Sequence, residues 1–238
     1  GLELAELTRY VQGRGNTAST VAREVNSINA VFAYAKANGL VVPEGLRMKR
    51  PTVDDARMRW LTMDDRDAFI EACDSKVRDL VTFLFYTGAR LGEAFDLRWK
   101  NVGDGQVYLA TRKGRQKTLR WRAVPVSGAI APMLDGGGRG EDFVFLNHGE
   151  KWNRHAFYPH WKRACKAAGV EDFRPHDCRH TFASLLIQHG VGLREIADLL
   201  GHSQLSMVMR YSHLAPTQLR SAVDLLASNG GQDSDKVA

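Results

Sequence analysis

After Leu97 the apolar residues stop recurring at helical spacing and begin to alternate, and near His155 they return to helical spacing. That one excursion constrains the fold more than any other feature of the chain. Residues 106–111 and 118–126 read as two strands joined by a turn at Gly114. Helical patterns lie on both sides. Leu4, Leu7 and Val11 recur along a first helix. A second starts at cap residues 16–20, carries Val21, Val25, Ile28, Val31 and Phe32 as its buried stripe, and stops at Asn38-Gly39. Thr62 with Asp64 and Asp65 opens another helix, and Val77, Leu80, Val81, Phe83, Leu84 and Phe85 belong to a strongly apolar one that ends at Thr87-Gly88. Residues 155–168 and 177–226 are again helical in pattern. The expected fold is mainly α with a small antiparallel β-sheet, an α+β class.

Two helices are too few for an independent core, so residues 1–52 read as a partial helical domain with its linker. Residues 53–228 form the main unit, and 229–238 a polar, unstructured tail. The 238 residues are 44% hydrophobic and 25% charged, which excludes a largely disordered chain. No apolar run approaches the ~20 residues that span a bilayer, and the start Gly1-Leu2-Glu3-Leu4 lacks a leader's basic and apolar regions. Cys73, Cys165 and Cys178 are odd in number and unpatterned, which points to a reducing, cytoplasmic setting rather than a disulfide scaffold.

A net charge of +6 suggests a polyanionic partner, but its distribution says more. Arg112, Lys113, Arg115, Lys117, Arg120 and Arg122 crowd the strand–turn–strand with no acid among them, suited to a phosphate backbone. Protection of an edge strand explains one or two such cations and six poorly. Arg47, Lys49 and Arg50 in the linker are further candidate phosphate contacts. In Thr87-Gly88-Ala89-Arg90-Leu91-Gly92-Glu93, Arg90 opens a short helix and Glu93, three positions on, can orient its guanidinium. In Arg174-Pro175-His176-Asp177-Cys178-Arg179-His180, His176 and Arg179 share one face of a first turn, where they can grip one anion. A zinc site of His176, Cys178 and His180 is the rival reading, weakened by Asp177 where a zinc hydrolase helix carries Glu. His180 alone reads as a packing or capping histidine. His202 follows the helix stop at Gly201, and Tyr211 comes after a further short helical run.

In this order the motifs resemble the tyrosine recombinase (phage-type integrase) family, over roughly residues 60–229. The carriers are Arg90 in Thr-Gly-Ala-Arg-Leu-Gly-Glu, Lys113 in the hairpin, His176 and Arg179 in His-Asp-Cys-Arg-His-Thr, His202 in Leu-Gly-His-Ser, and Tyr211. Cys178 stands where an aliphatic residue is usual. The resemblance implies a site-specific recombinase acting on double-stranded DNA, without metal, ATP or other cofactor. Tyr211 would be the nucleophile, Arg90 and Arg179 the phosphate clamp, His202 a donor, His176 the proton acceptor and Lys113 the general acid. Glu93 would support Arg90. It also implies a partial core-binding domain at the N-terminus, loss of an N-terminal portion, a homo-tetramer on DNA joined through a C-terminal helix opened by Pro216, and accessory DNA-bending proteins. Type IB topoisomerase-like cleavage and a non-catalytic DNA-binding relative are the alternatives.

Overall fold

Thr62 ends an extended stretch and its hydroxyl accepts the Asp65 N–H, which starts a helix where the sequence signals one. The computed structural model describes residues 4–13, 15, 17–42, 47–52, 58–113, 118–135 and 140–215. Chain contacts divide it into two units, Gly1–Arg57 and Met58–Ala238.

In the first unit, α1 (Leu4–Gln12) packs on α2 (Ala18–Ala37), which is capped by Thr17 and stopped at Asn38. Their shared core is thin: Val11, Val25 and Met48 are buried, with Leu7, Val21 and Ile28 beside them. Asn29 ties the following chain to α2, donating from Nδ2 to the Met48 carbonyl and accepting the Met48 N–H, each at 3.0 Å. Val31, expected on the buried stripe, is exposed. Its position has rotated off the face that meets α1.

The second unit holds the main core. α3 (Met63–Glu71), α4 (Arg78–Thr87) and the short α5 (Leu91–Phe95) precede a three-stranded antiparallel sheet in the order β1 (Val102–Gly103), β2 (Gln106–Lys113), β3 (Thr118–Pro125). α6 (Ala131–Leu134) and a two-stranded ribbon of β4 (Leu146–Asn147) and β5 (Glu150–Lys151) lead into α7 (Arg154–Ala167). The chain continues through α8 (Asp177–Gln188), α9 (Leu193–Leu200) and α10 (Ser206–Met209). The fold is therefore the expected α+β arrangement. α4 is apolar on nearly every face because it is surrounded; Leu80, Val81, Phe83, Leu84 and Phe85 are all buried, and it packs on both α3 and α8. Phe69, Phe85, Trp161 and Phe173 form an aromatic cluster beneath it, and the Trp161 indole N–H is satisfied by the Phe173 carbonyl at 2.9 Å.

In the sheet, Val107 pairs with Val124 and Leu109 with Arg122. Strand alternation sends Val107, Leu109, Arg122 and Val124 to the buried face, and Tyr108, Leu119 and Trp121 to solvent. α9 lies beside β3, and α5 beside β2, so the sheet meets both helix ends that carry site residues.

Candidate active site

Three chain turns converge in the second unit. At the first, α4 stops on Gly88 in the left-handed region (φ 60°). A Cβ there would lie 2.6 Å from the Phe182 ring and 2.8 Å from Leu200, so only glycine lets this turn sit against α8 and α9. Arg90 follows in extended conformation as the cap of α5. Glu93 accepts the Arg90 backbone N–H at 2.8 Å, the reciprocal half of a capping box, and also the Arg90 Nη1 at 2.8 Å. Glu93 is buried and takes further bonds from Arg122 Nη2 (2.6 Å), Arg122 Nη1 (3.1 Å) and the Thr111 hydroxyl. Burial alone would raise its pKa, but the Arg122 hydrogen bonds and charge, with Thr111 and the Arg90 N–H, hold it at about 2.

The second turn is the start of α8, where the Arg174 N–H donates to Asp177 Oδ2 at 2.7 Å. One turn in, Arg179 is only 2% exposed. Its Nη1 donates to the Gly88 carbonyl at 2.9 Å and its Nη2 to the Leu200 carbonyl. Burial first, then the charges of Arg90 and Arg122, push its pKa down. The third turn is the end of α9. Gly201 is left-handed (φ 66°), and the His202 N–H closes the helix on the Ala197 carbonyl at 2.9 Å. The buried Nδ1 of His202 has no hydrogen-bond partner among the described residues. Desolvation, then Arg179 and Arg90, lower its pKa to about 4, so the ring is neutral at pH 7. A pocket of about 310 Å³ lined by Arg90, Thr111, Arg120, Trp121, Gly201 and His202 joins these elements.

Tyr211 is 2% exposed, and its phenol oxygen lies 2.6 Å from His180 Nδ1. Burial raises its pKa, with Arg210 and Arg179 opposing. His180 in turn meets His176 edge to face, ring centres 5.1 Å apart. The ring of His176 is disfavoured as a cation by desolvation and by Arg179 and Arg90. His176 was expected to receive the phenol proton; the phenol's hydrogen-bond partner is His180.

Lys113 closes β2, paired with Thr118 and two residues beyond Thr111. Its side chain and that of Arg112, together with Arg115, Lys117 and Gly114, lie outside the described residues, as do the helix expected from Pro216 and the tail at 229–238. Arg120 is exposed and lines the pocket. Arg122 departs from the expected DNA face: it is buried, and its guanidinium is occupied inside by Glu93. Arg47, Lys49 and Arg50 are exposed in the first unit. The zinc reading finds no geometry among the described residues, where no three ligating side chains come together; Cys178 is buried in the main core and His180 is bonded to Tyr211. Sequence reasoning missed His180, Thr111 and the inward role of Arg122. Only the last had a local signal, its place two residues before Val124 on the buried face.

Residues 59–218 match the Phage integrase family. The chain is 30% identical over 222 residues to tyrosine recombinase XerC of Roseiflexus castenholzii (strain DSM 13941 / HLO8), covering 84% of this chain and 70% of that protein. It is 27% identical over 214 residues to the integrase of Salmonella phage P22, covering 84% of this chain and 55% of that one. Among solved structures it is similar to the catalytic domain of bacteriophage HP1 integrase, with a TM-score of 0.59 and 27% identity over 74% of this chain and 100% of the other. It shares the fold of a XerH site-specific recombinase bound to a palindromic difH substrate, with a TM-score of 0.73, 20% identity, and coverage of 95% and 73%.

Proposed function

We propose, for a chain that belongs to the phage integrase family of tyrosine recombinases, site-specific cutting and rejoining of DNA through a 3′-phosphotyrosyl intermediate, in the service of prophage or mobile-element integration and excision. Members of this family are DNA strand breaking and rejoining enzymes, and this chain is one of them. What carries the finer reading is the gathering of Arg90, Arg179 and His202 about the end of α9, within the unit that also holds Tyr211.

The chemistry follows from those groups. An oxygen attacking a phosphodiester builds negative charge on the non-bridging oxygens. Arg90 and Arg179 offer paired N–H donors to that charge, and a neutral His202 adds one hydrogen bond. The Tyr211 oxygen forms a bond to phosphorus as the bond to the 5′ oxygen breaks. Lys113 gives the departing 5′ oxygen its proton, and a histidine of α8 takes the phenol proton. In this reading His180, whose Nδ1 lies 2.6 Å from the phenol oxygen, is the acceptor, and His176 contacts the phosphate. The phosphotyrosyl ester conserves the energy of the bond cleaved, so rejoining by the 5′-hydroxyl needs neither ATP nor metal. Arg47, Lys49 and Arg50 of the first unit contact phosphates as part of a core-binding domain, and four copies work on two duplexes, aided by DNA-bending proteins.

Incubation with a nicked duplex that carries the element's junction tests this reading, because loss of the short fragment beyond the nick traps the covalent product. A protein–DNA adduct is expected from the parent chain and none from Tyr211→Phe, which retains DNA binding. No adduct from the parent, or an equal adduct from Tyr211→Phe, overturns the assignment.

A further inference from the structure

Arg122 is buried at the wall of the pocket and joins two elements. Its Nη2 and Nη1 donate to the two oxygens of Glu93 at 2.6 and 3.1 Å, while its Nε donates to the Leu199 carbonyl at 2.8 Å. Its Cδ lies 2.9 Å from where a Cβ on Gly201 would stand, so the α9 end closes directly over the arginine stem. We propose that Arg122 is a positioning residue for the reaction, one guanidinium that sets Arg90 through Glu93 and His202 through the last turn of α9. This rests on the recombinase reading for its catalytic consequence, though not for its geometry.

Only arginine can make this connection. Its planar fork supplies two parallel donors to a carboxylate and a third, differently aimed, to a carbonyl. A lysine ammonium in the same volume keeps the charge but reaches one partner well. Each partner is one step from the reaction. Glu93 holds Arg90 by both its backbone N–H and its guanidinium. Leu199 and Leu200 are the last residues of α9, and their carbonyls receive Arg122 and Arg179 respectively. Helix-end carbonyls have no partner within the helix, so two arginines from different elements fix where α9 stops and hence where His202 begins. The β3 position of Arg122 adds a further link. The strand that carries it is paired with the one ending at Lys113. Catalytic groups held by chains of this kind lose rate steeply when they shift; a displacement of ~1 Å is enough for ~10²-fold.

Arg122→Lys and Arg122→Met in the full chain separate this role from simple support of the fold and from DNA contact. In the free protein at pH 7, the imidazole NMR signals of His202 are expected to move and broaden in both variants, while those of His189, at the far end of α8, stay in place. With saturating nicked DNA, Arg122→Lys is expected to melt cooperatively, bind DNA within about threefold of the parent, and form the Tyr211 adduct about 10²-fold more slowly. In a cycle with Glu93→Gln, the second substitution is expected to add little to the first. A parent-like adduct rate in Arg122→Lys overturns the proposal, as does a rate loss fully accounted for by weaker binding. Unmoved His202 signals overturn it without any cleavage assay. A parent chain that forms no adduct refutes the recombinase reading alone, and the NMR arm then still decides the placement of Arg122.

Discussion

A carboxylate that accepts five hydrogen bonds, three of them from two guanidinium groups, has little use for a proton. Glu93 is in that position, with a pKa of about 2 against an ordinary 4.5. Its folded value is depressed, so its contribution to stability is present above pH 4.5 and disappears as pH falls towards 2. The shift corresponds to on the order of 3 kcal/mol. Glu93→Gln is therefore expected to be less stable than the parent by a few kcal/mol at pH 7, with the gap closing on acidification. Urea denaturation at pH 7 and pH 3 checks this, and a gap independent of pH contradicts it. At this scale the sequence was an uneven guide. Arg90 and Glu93 could be paired on sight because they are three residues apart on one helix turn. His180 and Tyr211 could not, since 31 residues separate them and nothing local announces the meeting. Arg122 was misread because six cations were counted together, when the alternation through Val124 already separated one of them from the rest.

Elements were easier to read than contacts. The caps at Thr17 and Thr62, the stops at Asn38 and Gly88, and both long strands rest on local chemistry that acts over a few residues, and they fall within a residue or two of the expected positions. The two-residue strands β4 and β5 have no period to detect, and they were not foreseen. Gly88 shows how an element boundary becomes a tertiary requirement. It ends α4, it lets the turn press on Phe182 and Leu200, and its carbonyl holds Arg179. Gly88→Ala combines a left-handed backbone with overpacking and is expected to lower stability by about 1–3 kcal/mol. It should also slow adduct formation beyond what the fraction unfolded explains, because the Arg179 anchor moves with the turn. Thermal melting and adduct formation measured on the same samples distinguish the two effects; a rate loss tracking the unfolded fraction alone would remove the second claim.

Across the whole molecule, each unit keeps its own core. The small one depends on Val11, Val25 and Met48, and the large one contains two clusters that meet where α4, α8 and α9 pack together. Arg179 lies at that meeting with two carbonyls as its hydrogen-bond partners and, among the described residues, no carboxylate bonded to it. Desolvating a cation in this way carries a cost that the two carbonyl hydrogen bonds offset in part. Arg179→Met is expected to destabilise the chain by about 1–3 kcal/mol, since the buried Gly88 and Leu200 carbonyls lose their donor while the cost of burying a charge is removed. DNA at a hundredfold excess over Kd stabilises the parent by about 2.7 kcal/mol, roughly 5–10 °C in Tm for a chain of this size, and less in Arg179→Met. Parent-like stability without DNA, or an undiminished rise with DNA, contradicts this. A guanidinium held by two backbone carbonyls has given up most of its rotamer freedom on folding, so an anion that meets it bears little of that ordering cost.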